Sequence, residues 1–234
     1  MENNNRTSIP FIIYLIPLFF SVAVSLVLNQ AYYNFQTSVF SNENTLLFVN
    51  NKIAGFIIFF SPAIMIACII LRIKNYVSIK IMKIKIFSFI TILTFVISVF
   101  ILVGQFFEYT DINKEVIHVR NGLFFTDRNY IWDDVAYAEV SYESGNKGKI
   151  DIIYNIYLND GTKINVRNSN DFFSKIVNLD NFMKDKKIKI NRKTIQSKDY
   201  TSIENTYNNN KKGKDISDTM QVVLQILNGQ NINK

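Results

Sequence analysis

Three long stretches without a charged side chain constrain this chain more than any other feature. No Asp, Glu, Lys or Arg occurs from Thr7 to Asn42, from Ile53 to Leu71, or from Ile86 to Phe107. Within the first, the apolar part runs from Ile9 to Leu28. At ~1.5 Å of rise per helical residue, each stretch can cross a hydrocarbon layer of ~30 Å. A backbone in lipid must satisfy its own hydrogen bonds, so the expectation is three transmembrane helices over about 9–28, 53–71 and 86–107. The first run is too long for a secretory h-region and lacks a small-x-small cleavage site near Asn29, so it is expected to remain as a helix.

The loops set an orientation. Arg72, Lys74, Lys80, Lys83 and Lys85 crowd the connection between the second and third stretches, which has no acid. The connection from Asn29 to Asn51 has no Lys or Arg and one acid, Glu43. Basic short loops stay on the cytoplasmic side. This predicts a multi-pass protein of the cell membrane, with the lipid bilayer as its first partner. The N-terminus would be cytoplasmic, and an odd number of spans would leave the C-terminal part extracytoplasmic. Tyr32, Tyr33 and Phe35 after the first span, and Phe106, Phe107 and Tyr109 after the third, suit an interfacial aromatic belt.

Charge placement and residue inventory narrow the function classes. Of the formal net charge of +7, only +2 falls in residues 108–234. A nucleic-acid binder would gather its basic excess in that half, so no nucleic-acid partner is expected. The apolar stretches carry no His or other ionisable group that an ion or proton path would need. The single cysteine, Cys68, lies inside the second stretch, where a small packing residue is the expected role. Pro10, Pro17 and Pro62, with Gly55 and Gly104, are ordinary kink and close-packing features of membrane helices.

After Phe107 the pattern turns polar and alternating. Val116–Arg120, Asn121-Gly122 and Leu123–Thr126 read as a tight hairpin, because Asn-Gly tolerates the positive φ of a type I′ turn. Asp127-Arg128-Asn129 reads as a second turn, and Val135–Glu143 as the next strand. Lys149–Leu158 places Ile150, Ile152, Tyr154, Ile156 and Leu158 on one face. Asp160-Gly161 turns the chain into Thr162–Arg167, with Ile164 and Val166 inward. Ser169, Asn170 and Asp171 are candidate N-caps for a helix buried through Phe172, Phe173, Ile176, Leu179 and Met183. Strands followed by a helix predict an α+β domain. Residues 188–214 read as polar linker. A terminal amphipathic helix over about Ser217–Asn228, with Gly229 at C′, has Ile216, Met220, Val223 and Leu227 on one side and is expected to pack in cis. The domain reading is 1–107 membrane, 108–187 β-rich domain, and 188–234 linker plus terminal helix.

The run Tyr130-Ile131-Trp132-Asp133-Asp134-Val135, the 149–158 strand, Asp160-Gly161, the 162–167 strand and the helix resemble bacterial pleckstrin-homology-like domains. The resemblance spans about residues 112–185. It implies an antiparallel β-barrel or sandwich capped by a C-terminal helix, and it carries no catalytic residue over. Trp132 is expected in the core, with an acceptor for its indole N–H. Adjacent Asp133 and Asp134 diverge and suit turn capping better than metal binding. His118, the lone histidine, reads as a surface or packing residue.

These readings assign no catalytic, cofactor-binding or metal-ligating residue and no cofactor. The expected function is a membrane-anchored, non-enzymatic interaction module that offers its domain to a protein or peptide, through a sheet edge or the groove beside the 171–183 helix. The alternatives are a subunit of a membrane transport or bacteriocin-immunity-type assembly, and an interfacial enzyme. Uncharged helices weigh against transport. One His, no Gly-rich phosphate loop and no metal-ligand spacing weigh against the enzyme.

Overall fold

A computed structural model describes residues 12–77, 81–122, 127–145, 149–208 and 217–229. It divides into two compact units, one of Met1–Val39 and Lys52–Phe107, the other of Phe40–Asn51 and Glu108–Lys234.

The first unit is helical: α1 (Ile12–Phe40), α2 (Ile53–Val77) and α3 (Ile81–Phe106). Among the described residues two helices are long and apolar enough to cross a membrane, Ile53–Ile73 and Ile81–Phe106. Two expectations need correction here. The segment from Asn29 to Phe40 is not loop, because α1 continues through it to Phe40. Its polar side chains serve the ends of the other helices. Tyr33 Oη accepts the Gly55 N–H at 3.0 Å, in the first turn of α2. Gln36 Nε2 donates to the carbonyls of Gln105 (3.2 Å) and Phe106 (2.8 Å), and Tyr32 Oη to that of Leu102 (2.8 Å). The Gln105 and Phe106 carbonyls are among those that the C-terminal end of a helix leaves without an intrahelical partner. Tyr32, Tyr33 and Phe35 therefore lie on α1, not beyond it. The basic loop also shrinks. Arg72 and Lys74 belong to α2, and Lys83 and Lys85 to α3.

Among its described residues the second unit holds two four-stranded sheets and three α-helices. Sheet one has the order β1-β2-β3-β4 and is antiparallel throughout: β1 (Thr45–Asn50), β2 (Glu108–Asn113), β3 (Val116–Asn121) and β4 (Asp127–Ile131). Sheet two has the order β7-β6-β5-β8: β5 (Val135–Ser144), β6 (Ile150–Leu158), β7 (Lys163–Asn165) and β8 (Ile190–Arg192). Within it β8 runs parallel to β5, so sheet two is mixed. The described strands form these two sheets and not one closed barrel. The helices are α4 (Phe172–Asp185), α5 (Ser197–Tyr207) and α6 (Asp218–Asn228).

One apolar core joins both sheets and all three helices. Strand alternation supplies Leu47, Ile112 and Ile117 from sheet one and Ile152, Tyr154 and Ile156 from sheet two. The expected stripe of α4 is buried at Phe172, Ile176, Leu179 and Met183, with Phe173 half-buried. Helix α6 has the N-cap and C-cap read from sequence. Ser217 Oγ accepts from Met220 N at 3.3 Å, and Gly229 takes φ 71°. It buries Met220, Val223, Leu224, Ile226 and Leu227 within its own unit; Ile216 lies outside the described residues.

Four sequence readings differ from the structure. Thr45–Asn50 was expected as connection but is β1, paired with β2 through Phe48↔Asp111 and Asn50↔Tyr109. Asp127-Arg128-Asn129 is strand, not turn, with Arg120↔Asp127 in register. The partner strand expected at 123–126 lies outside the described residues. Residues 188–207 are not linker: they form β8 and α5, and α5 buries Ile203 and Tyr207. The 162–167 strand is shorter than read. It ends at Asn165, where a single 3-10 turn, Val166–Asn168, begins.

Candidate functional site

Trp132 stands in a 3-10 turn between β4 and β5 and is 6% exposed. Its indole N–H donates to the Asn113 carbonyl at 3.1 Å, and its ring lies 4.9 Å from that of Phe182. Asp134 caps the same turn, its Oδ2 accepting from Ile131 N at 3.0 Å. Its carbonyl accepts from Asn159 N at 2.8 Å, which links the turn to the end of β6. Both residues thus have the structural roles read from their types. His118 lies on β3 with its Nε2 against Asp127 Oδ1, an acidic partner that sequence spacing did not reveal. Its ring also meets Tyr109 edge-on at 5.6 Å. Cys68 is buried in α2. Among the described residues no three His, Cys, Asp or Glu side chains gather as metal ligands do.

Sequence reasoning missed a buried ionic cluster. Asp180 of α4 is 1% exposed. Arg192 Nη2 of β8 donates to both its oxygens, at 2.8 and 2.9 Å. Tyr154 Oη of β6 donates at 2.8 Å, and Lys184 Nζ lies 3.1 Å away. Arg192 Nη1 also donates to the Ile226 carbonyl, and Lys184 to that of Gly229 at 3.3 Å. Burial, then the neighbouring Asp180 charge, holds the Tyr154 phenol well above its usual range. A Cβ at Gly229 would come within 3.1 Å of Arg192 Nε, so glycine there serves the cluster as well as the left-handed cap. The cluster ties α4, β6, β8 and α6 together, with every carboxylate oxygen occupied. It fits a structural clasp, not a reactive centre.

Two further carboxylates are tuned by their surroundings. Burial pushes the Asp111 carboxyl up, partly offset by hydrogen bonds from Thr45 Oγ1 (2.8 Å) and Asn113 Nδ2 (3.4 Å). Asp160 is held below the usual carboxylate range by the Thr162 N–H and the Tyr130 hydroxyl. Tyr130 Oη and Arg128 Nη1 reach its Oδ2 at 2.8 and 3.3 Å, joining β4 to the turn before β7.

The feature best suited to receive a ligand is a cleft of about 350 Å3 within the second unit. One wall comprises strand ends of sheet one: Val49–Asn51, Glu108–Thr110 and Val119–Asn121. The other is Thr162–Asn165 with Asn168. The cleft thus lies between one end of sheet one, where β1, β2 and β3 contribute, and β7, an edge strand of sheet two. Its lining is mostly polar, with five asparagines and the charges Glu108, Arg120 and Lys163. Asn51 Nδ2 donates to Glu108 Oε1. Nothing in the local sequence brings residues 49–51 to residues 162–165, so the cleft was not readable from it.

A scan against protein-family models and searches of curated proteins and solved structures found no significant match. The fold and the cleft are therefore the basis for a functional reading. They describe a protein with an α+β unit and a helical unit compatible with membrane association.

Proposed function

We propose that this protein is a multi-pass membrane protein whose α+β unit acts by binding a protein partner, not by catalysis. The observation that carries this reading is the polar cleft between the strand ends of sheet one and β7, an edge strand of sheet two. Main-chain groups at a strand edge, flanked by amide side chains, supply hydrogen bonds to another polypeptide without any reactive group. The reading also draws on the resemblance of residues 112–185 to pleckstrin-homology-like domains, which are carriers of binding surfaces; the order of strands β1–β7 before helix α4 supports it. In this reading α1 is a third span and the α+β unit is extracytoplasmic.

The test is a photocrosslinking amino acid placed at Asn165, in the cleft, and separately at Asp185, an exposed position at the end of α4. A discrete adduct from Asn165 and none from Asp185, in cells carrying the full chain, is the expected result. Equal adducts from both positions, or none from Asn165, would overturn the reading.

A further inference from the structure

We infer that the basic end of the α2–α3 hairpin binds anionic phospholipid, with Arg72, Lys83 and Lys85 holding the headgroup phosphate; this rests on the membrane reading above and is independent of the cleft. Only residues 78–80 separate α2 from α3, and the two helices pack on each other, so they run antiparallel and share one end. Arg72 lies five residues before the end of α2, and Lys83 and Lys85 lie two and four residues after the start of α3. At ~1.5 Å per residue these are depths of ~7.5, ~3 and ~6 Å, so the three charges share one level of the hairpin. All three residues are exposed.

Among the described residues nothing offsets these charges. No Asp or Glu occurs between Glu43 and Glu108. Within the described residues Arg72, Lys83 and Lys85 make no ion pair, side-chain hydrogen bond or ring contact. Lys83 also stands in the first turn of α3, which has no acid, and there the helix dipole repels a cation. Lys74 and Lys80 add two further basic residues to the same stretch of sequence. An anion is the missing counterpart.

The neighbouring side chains decide which anion. Ile73 beside Arg72, and Ile81, Met82 and Ile86 around the lysines, are all exposed, Met82 at 78%. Basic and apolar residues thus share one surface. A nucleic acid, an acidic polypeptide or a free phosphate would meet the cations and leave these apolar groups in water. A phospholipid meets both, its phosphate with the cations and its acyl chains with the apolar side chains. Arg72 and Lys85 fall inside the segments apolar enough to cross a membrane, Ile53–Ile73 and Ile81–Phe106. Lys and Arg suit this place because their stems lie along apolar surface while their charged ends reach the headgroup layer. A zwitterionic headgroup carries its own cation beside the phosphate, so an anionic one is favoured.

The experiment reconstitutes the full chain in phosphatidylcholine vesicles that contain a trace of spin-labelled phosphatidylglycerol or, separately, of spin-labelled phosphatidylcholine. The electron spin resonance spectrum distinguishes lipid held at the protein from lipid in the bulk. Phosphatidylglycerol should be enriched at the protein by about three-fold or more over phosphatidylcholine. Arg72→Gln with Lys83→Gln and Lys85→Gln should at least halve that ratio. Arg72→Lys with Lys83→Arg and Lys85→Arg should keep it. Unchanged Trp132 emission shows that both variants are folded. Inorganic phosphate, compared with chloride at equal ionic strength, should leave the ratio unchanged. Equal association of the two lipids with the unaltered chain would overturn the inference. So would full enrichment in the neutralised variant, loss of enrichment in the charge-conserving one, or displacement of the lipid by phosphate. In those cases a chain that resists carbonate extraction from the vesicles would still stand as a membrane protein. Extraction of the unaltered chain by carbonate would overturn the membrane reading itself, and the inference with it.

Discussion

At the scale of single residues, Asp180 is the side chain on which the α+β unit most depends. A carboxylate this deeply buried is tolerated because Arg192, Tyr154 and Lys184 surround it. Replacing such a pair with apolar groups can be neutral, whereas removing one partner leaves an uncompensated buried charge. Asp180→Ala is therefore expected to destabilise the unit by about 3–5 kcal/mol. The measurement is urea unfolding followed by emission of Trp132, the one tryptophan in the chain. A loss below ~1 kcal/mol, the size of an exposed ion pair, would refute the clasp. Sequence pattern could not have marked Asp180. It sits one position beyond Leu179 on the buried stripe of α4, where a polar residue reads as the start of the solvent face.

At the scale of elements, β1 is the least expected and the most consequential. Six residues, Thr45–Asn50, leave the connection between two helices and become an edge strand of a sheet whose other strands lie beyond residue 107. Leu47 is fully buried opposite Ile112, and Phe48 stacks on Tyr109 with ring centroids 5.2 Å apart. Leu47→Ala is expected to cost about 2–5 kcal/mol, by lost transfer energy and the cavity left behind. Trp132 emission during urea unfolding of the full chain would register it, although the substitution lies far from residue 132 in sequence. No change would mean that β1 is dispensable to the core. Elements β5 and β6 and helices α4 and α6 were legible because one face of each repeats apolar residues at the strand or helix period. Elements β8 and α5 were not. Each is short, Asn- and Lys-rich nearby, and buries few residues, so its local pattern resembles linker.

At the scale of the whole molecule, the β1–β2 pairing constrains topology. Between Asn50 and Glu108 the chain passes through α2 and α3. If each crosses the membrane once, both ends of that excursion emerge on one side, as a shared sheet requires. This holds whether or not α1 spans. Single cysteines in a Cys68→Ser background provide the measurement. Asn44→Cys and Lys114→Cys, whose backbones meet at 3.1 Å, should both react with an impermeant maleimide on intact cells. Lys85→Cys should react only after permeabilisation. Opposite accessibility of positions 44 and 114 would be incompatible with the pairing.

The sequence by itself determined which segments avoid water and which expose one face to it. Uncharged stretches, alternating strands and amphipathic helices are local patterns, set by how each side chain partitions between water and an apolar medium. Only the tertiary structure decided that residues 45–50 join a sheet with residues 108–131, that Asp180 is matched by Arg192, and that β1 and β7 face one cleft. Those facts depend on pairing between segments separated by helices α2 and α3 or by other whole elements. The energy of such pairing is shared between distant partners, so neither segment carries its signature alone.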